Sequence, residues 1–209
     1  MRKILLAATA VACLALAGCN DSSSGDDSGN KPPEKLPSAT ATSGGETPGT
    51  APEGAALALG TPARTVGART VGILEITPTT VVHTGKSGGV TSKYGTFVVV
   101  TMREKSLSAN PAEEEKPAAG GWKWLAPDGQ TTVAGNGNSA QVSLGAYNSH
   151  GEIQPGDTQP RATVFDLTLA QARGGSAVYT DGTKAPFRWE IPAKDSGPDV
   201  ADVRRQLNP

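Results

Sequence analysis

The sequence predicts an all-β protein: one antiparallel β-sandwich over residues 63–194, preceded by a long N-terminal stretch without structural periodicity. Three observations carry the prediction. Short runs rich in β-branched and aromatic residues recur between residues 71 and 191, each closed by a cluster of Gly, Pro, Asp or Asn. No segment holds a 3.6-residue apolar period for more than one turn, residues 169–173 being the nearest approach. Residues 63–194 are also long enough to enclose one sizeable core.

Residues 71–76 make the first strand signal, closed by Thr77-Pro78, and residues 79–84 the second, ended by Gly85 and Ser87-Gly88-Gly89. The strongest lies at 94–105. Its Tyr94, Thr96, Val98, Val100 and Met102 share one face and Phe97 and Val99 the other, so burial of its middle on both sides is expected. A polar loop over 106–120, with Glu113-Glu114-Glu115 as a solvated run, separates it from the signal at 122–125. Pro127-Asp128-Gly129 then sets a tight turn, because proline presets φ and glycine accepts φ > 0, and Thr131-Thr132-Val133 returns from it. After Gly135-Asn136-Gly137-Asn138 comes a further run at 140–144. Ile153-Gln154-Pro155-Gly156-Asp157 turns the chain into 161–169, where Thr163, Phe165, Leu167 and Leu169 alternate with polar neighbours. Residues 177–180 and 185–191 form a hairpin across Asp181-Gly182, with Phe187, Trp189 and Ile191 on one face and Arg188 and Glu190 on the other. About eight or nine strands at this spacing indicate a sandwich. Residues 195–209 carry no strand signal and are expected to be a flexible tail.

The N-terminus reads differently. Arg2 and Lys3 precede an apolar run over residues 4–16. At about 13 residues it is shorter than the roughly 20 needed to span a bilayer as a helix. It ends in Leu16-Ala17-Gly18-Cys19, which resembles the lipobox of bacterial lipoproteins at every position. The resemblance implies that the Cys19 thiol receives a diacylglyceryl group and that the signal, residues 1–18, is cut before it. The protein would then be held on the outer face of the membrane. Each buried methylene contributes about 0.8 kcal/mol and a single acyl chain anchors only marginally, so stable attachment needs two or more. Cys13, the other of the two cysteines, leaves with the signal, so the fold is expected to stand on a hydrophobic core without a disulfide. Residues 19–62 then form a lipidated start and a disordered linker of Ser, Thr, Gly, Pro, Ala and Asp, because no periodic apolar residue offsets the entropy of ordering. Such a flexible chain of about 40 residues holds a domain on the order of 35 Å from its anchor.

The order of motifs resembles a family of bacterial secreted and lipid-anchored immunoglobulin-like domains. That family includes the mycobacterial secreted antigen group and a domain of unknown function found in many Gram-positive lipoproteins. The matching stretches are Val71-Gly72-Ile73-Leu74-Glu75-Ile76-Thr77, Tyr94-Gly95-Thr96-Phe97-Val98-Val99-Val100-Thr101 and Trp122-Lys123-Trp124-Leu125-Ala126-Pro127-Asp128-Gly129-Gln130. Ile153-Gln154-Pro155-Gly156-Asp157 and Thr163-Val164-Phe165-Asp166-Leu167 complete them. The family's Asn-x-Gly after the long strand is missing, since Met102-Arg103-Glu104-Lys105 runs straight into the loop. The resemblance implies an immunoglobulin-like fold and carries over no catalytic residue.

Charge and chemistry narrow the function classes. The whole chain has 19 Lys+Arg against 20 Asp+Glu; without Arg2 and Lys3 the balance is 17 against 20, about −3. No basic patch suggests nucleic acid as a partner. His83 and His150 lack metal-ligand spacing. Ser149-His150 with Asp157 invites a hydrolase reading, but sequence neighbours rarely face each other and no Gly-x-Ser-x-Gly elbow is present. Asp128, Asn136 and Asn138 are either calcium ligands or turn residues, and the EF-hand pattern is missing. Gly135-Asn136-Gly137-Asn138 lacks the lysine and the following helix of a phosphate loop, and no other cofactor motif is present. Trp122, Trp124 and Trp189 remain. They either form the sandwich core or make an aromatic platform on an exposed sheet face for glycan or peptide. The expectation is a membrane-anchored, non-catalytic binding module with a cell-envelope protein or glycan as partner. An envelope hydrolase and a structural accessory of an envelope system are the alternatives.

Overall fold

A computed structural model describes residues 55–208. In chain order its strands are β1 (Leu57–Ala58), β2 (Ala63–Val66), β3 (Ile73–Thr84), β4 (Lys86–Ser87), β5 (Val90–Thr91) and β6 (Thr96–Ser106). They continue with β7 (Gly121–Leu125), β8 (Thr131–Val133), β9 (Thr158–Leu167), β10 (Gly175–Thr180) and β11 (Pro186–Ile191), and helix α1 (Val200–Leu207) follows. Among the described residues no helix is long and apolar enough to cross a membrane.

The composition of β6 explains the layering. Val98, Val100 and Met102 alternate with Phe97 and Val99, and all five are buried. A strand apolar at both parities must be covered on both faces. The first set packs into the large core between two sheets with Leu74, Phe165, Trp124 and Trp189. The second set points the other way, into a smaller cluster closed by Leu144, Val203 and Leu207.

One sheet has the order β1-β11-β10-β7-β8 and the other β2-β3-β6-β9, with β4-β5 a separate small ribbon. All pairings are antiparallel except that of β1 with β11. An immunoglobulin sandwich sets its first, second and fifth strands in one sheet against the third, sixth and seventh in the other. Here β3-β6-β9 faces β11-β10-β7-β8 in that same connectivity. The fourth strand is replaced: where a strand was expected at 140–144 the chain makes 3-10 turns, Ser139–Gln141 and Gly145–Tyr147, alongside β9. A mere five-residue alternation lost to the side-chain bonds that pin Asn138 and Ser139.

Three further expectations are corrected. The two strands predicted on either side of Thr77-Pro78 are one, β3, because a bulge between Pro78 and Thr80 absorbs the residue that cannot donate to the ladder. The linker assigned to 19–62 stops earlier: Leu57–Ala58 pairs with β11, and Leu57 and Leu59 pack on the core. The tail assigned to 195–209 is not flexible chain over residues 200–207. Val200, Val203 and Leu207 recur at helical spacing and lay α1 over the outer side of β6. Asp195 accepts from His83 N at 2.9 Å and lies 3.3 Å from His83 Nδ1, and its second oxygen binds Arg204, which fastens the helix in place.

The sheet edges are short or occupied. Val66 at the β2 edge donates to Asp181 Oδ2 at 2.9 Å and accepts from Gly182 N at 3.1 Å. Beyond the bulge, Val81 and Ser196 exchange backbone bonds of 2.8 and 3.0 Å along β3. At β9 the Asn136 amide bonds both backbone groups of Asp166, at 2.6 and 2.9 Å, and Gly135 N donates to Val164 O at 3.1 Å.

Candidate functional site

The tryptophans lie on β7 and β11, where side chains alternate between the core and the outside. Trp122, Trp124 and Trp189 take the inward parity, with 4%, 0% and 0% of their surfaces exposed. Each indole N–H has a partner: Glu114 Oε1 at 2.5 Å for Trp122, Gln171 O at 3.0 Å for Trp124 and Thr61 O at 2.8 Å for Trp189. Their rings pack at centroid distances of 5.1 Å (Trp122 on Tyr179), 5.6 Å (Trp122 on Trp189) and 5.7 Å (Trp124 on Phe165). The aromatic-platform reading is therefore corrected. These rings are core, and none can meet a ligand without opening the sandwich.

The same alternation sends their neighbours outward. In register across the sheet, Val133, Lys123, Val178 and Arg188 form one row. Thr131, Leu125, Ser176 and Glu190 form the next. Val133 is 43% exposed, Arg188 and Glu190 are exposed, and Lys123, Leu125 and Val178 are half-covered. Arg188 Nε donates to Ser176 Oγ at 2.8 Å, which orients its guanidinium across the strands. A depression of about 440 Å³ opens at one end of this face between Leu125, Pro127, Ser176, Arg188 and Glu190. The outer face of the other sheet differs in kind, being sealed by α1 and Leu144. Among the described residues the two hydrophobic clusters leave this face uncovered.

The residues weighed for chemistry do not converge. No hydrogen bond joins Ser149, His150 and Asp157 among the described residues; His150 lines a groove beside β9, while Asp157 N closes a turn onto Gln154 O at 3.0 Å. No group of three or more His, Cys, Asp or Glu is placed to hold a metal among the described residues. Asp128 accepts from Gln130 N at 3.0 Å within its turn, and Asn136 and Asn138 are committed to Asp166. Sequence reasoning missed Asp166 itself. Its carboxylate accepts from Ser92 Oγ at 2.5 Å and from the backbone N–H of Asn138, Lys93 and Tyr94 at 2.8–3.1 Å. Burial alone would raise its pKa, but these donors outweigh burial and hold it below the usual 3.8. It ties two loops together. The signal for it was an acidic residue at the end of an apolar strand, beside two Gly/Asn/Ser loops.

Cys19 lies outside the described residues. What the strand order defines is an immunoglobulin-like β-sandwich protein. No family model matches the sequence, and no curated protein matches it. Two solved structures are similar. One is a conserved hypothetical protein from Bacillus anthracis, at 16% identity, covering 65% of this chain and 94% of that one with a TM-score of 0.46. The other is MPT63, a secreted protein from Mycobacterium tuberculosis, at 15% identity, covering 64% of this chain and 95% of that one with a TM-score of 0.42.

Proposed function

We propose that this chain is a lipid-tethered extracytoplasmic binding module without catalytic activity, anchored through Cys19, that engages a cell-envelope protein or glycan. The observation that carries the reading is the contrast between the two outer sheet faces. One is closed by the chain's own helix, while the other presents Val133, Lys123, Val178 and Arg188 in one row and Glu190 in the next, so that charges of both signs lie among partial apolar cover. A non-obligate interface is about as apolar as the rest of a protein surface, so the mixed character of this face suits one, and its side chains are aligned across four strands instead of being covered by the chain itself. Ser149, His150 and Asp157, which no hydrogen bond joins among the described residues, favour binding over hydrolysis.

The test is made in cells with the full-length protein. A photo-crosslinking amino acid is placed at Lys123 or Arg188 on the open face, or at Gln206 on the helix as a control. Crosslinks to one envelope component from the first two positions and not the third support the reading. Equal crosslinking from all three, or none from the open face, refutes it.

A further inference from the structure

Beneath the aromatic core, at the end where β6 runs out, lies a polar cluster that the binding reading does not use. Glu104 projects inward from β6, with the parity of Met102, and its side chain is 0% exposed. Arg161 projects from the neighbouring β9, in register with Met102, and is 3% exposed. The segment over residues 107–120 crosses this end and brings Glu114 to both. Arg161 Nε lies 3.4 Å from Glu104 Oε2, and its Nη1 lies 3.7 Å from Glu114 Oε2. The crossing segment is held at several further points. Trp122 Nε1 donates to Glu114 Oε1 at 2.5 Å, Glu115 N donates to Tyr179 Oη at 2.7 Å, and Ala112 exchanges bonds of 2.8 and 3.1 Å with Ile153.

The arrangement is short of one donor. Both carboxyl oxygens of Glu104 are buried without a hydrogen-bond partner, and the Arg161 Nε beside them is at ion-pair distance without a formed bond. The group facing Glu104 is a second carboxyl, which when ionised can only accept. One guanidinium also cannot neutralise two carboxylates, so full ionisation would leave an unpaired negative charge at the core's end. Among the described residues the ion pairs of both carboxyls are with this same Arg161. Arg103 and Lys105 on the same strand have the opposite parity and are exposed; Ile76 and Gln159, opposite Glu104 on β3 and β9, are neutral. Tyr179 on β10 is neutral too, burial first and the nearby carboxylates next pushing its pKa well above 10.

We propose that Glu104 and Glu114 hold one proton between them, and that this proton latches the 107–120 segment over the end of the core. With the proton present, a carboxylic O–H donates across the pair and the net charge of the cluster is zero. When it leaves, two carboxylates face each other, and Glu114, on the crossing segment and 23% exposed against 0% for Glu104 on its strand, is the one that can withdraw towards water. Burial first, then the Glu114 charge, raises the Glu104 pKa well above its usual 4.5, against the lowering effect of Arg161. A folded pKa above the unfolded one means that the folded state binds more protons. The latch therefore contributes fully below pH 4.5 and is lost as pH rises through the folded value.

The experiment uses the full-length protein in detergent. Unfolding by urea across pH 5–9 is compared for wild type, Glu104→Gln and Glu114→Gln, with hydrogen exchange followed by mass spectrometry on residues 107–120. Infrared spectroscopy of the wild type reads the carbonyl stretch of a protonated carboxyl at neutral pH. One linked proton makes the wild-type unfolding constant rise about tenfold per pH unit between the unfolded and folded pKa values. Glu104→Gln should lose that slope, Glu114→Gln should narrow the pH range over which it runs because burial alone still raises Glu104, and exchange in 107–120 should quicken with pH most in the wild type. A wild type without a protonated-carboxyl band at neutral pH overturns the proposal, even if neither variant folds. Variants that keep the wild-type slope over its full range overturn it as well. Exchange in 107–120 that ignores pH, with the slope present, overturns the latch.

Discussion

Replacing Leu207 by alanine removes a side chain that is 0% exposed and that, with Val203, closes the cluster over Phe97 and Val99. The substitution deletes three carbons, and at about 0.8 kcal/mol for each methylene-sized group the transfer loss is about 2.4 kcal/mol. A rigid site would add a cavity term, but Leu207 ends an eight-residue helix at the chain's C-terminal side, where the last turn can settle inward. The loss should therefore stay near 2.4 kcal/mol, about 60-fold in the unfolding constant. Urea denaturation followed by tryptophan fluorescence measures it cleanly. All three tryptophans sit in the inter-sheet core, so their signal reports global unfolding and not local fraying of the helix. The midpoint should fall while the slope with urea stays constant. A loss below about 0.5 kcal/mol, the range of ordinary surface substitutions, would refute the packing of α1 and restore the free tail that the sequence suggests.

Two other perturbations act on the Asp166 hub. Asp166 and Asp195 both have pKa values held below 3.8, burial opposing and hydrogen bonds prevailing in each, so their contribution is present above pH 3.8 and is lost as pH falls through the folded values. Asp166→Asn should cost about 2–3 kcal/mol at pH 7 and flatten the acid limb of urea midpoints measured from pH 5 to 2; an unchanged limb would remove the hub from the account. Gly137→Ala adds a Cβ that meets Asp166 Oδ2 at 2.5 Å, on a backbone with φ +55°, so it should destabilise by about 1–3 kcal/mol. Thermal unfolding that shows no loss would mean that this loop is not pressed against the carboxylate.

Much of the fold was readable because it rests on parity. The two-sided burial of β6 follows from Phe97 and Val99 interleaving with Val98 and Val100, and the hairpin across Asp181-Gly182 follows from its turn residues and flanking alternation. Parity also paired Trp122 with Trp124 and opposed Arg188 to Trp189. It could not say which side was inside, because that depends on a second sheet arriving over one face. The helix escaped notice because eight residues with three apolar positions are too few to hold a helix alone, and its stability comes from the outer side of β6. The Glu104–Glu114–Arg161 cluster was invisible for a related reason. Glu113-Glu114-Glu115 reads as a solvated run, and only the crossing of 107–120 over the core's end turns Glu114 inward.

The occupied sheet edges matter in two dimensions. Proteins fixed to one lipid surface by tethers of equal length share a thin layer, where they collide side by side far more often than in free solution. A sandwich with bare edges would be zipped to its neighbours under such crowding, strand to strand. Here Asp181 and Gly182 fill the hydrogen-bonding row of Val66, Ser196 fills that of Val81, and Asn136 stands in for a strand beside Asp166. The remaining edges, β1 and β8, offer two and three residues. Under the proposed lipid anchor, the chain thus carries its own lateral insulation, so that molecules packed densely on one membrane stay separate and leave their open sheet faces free.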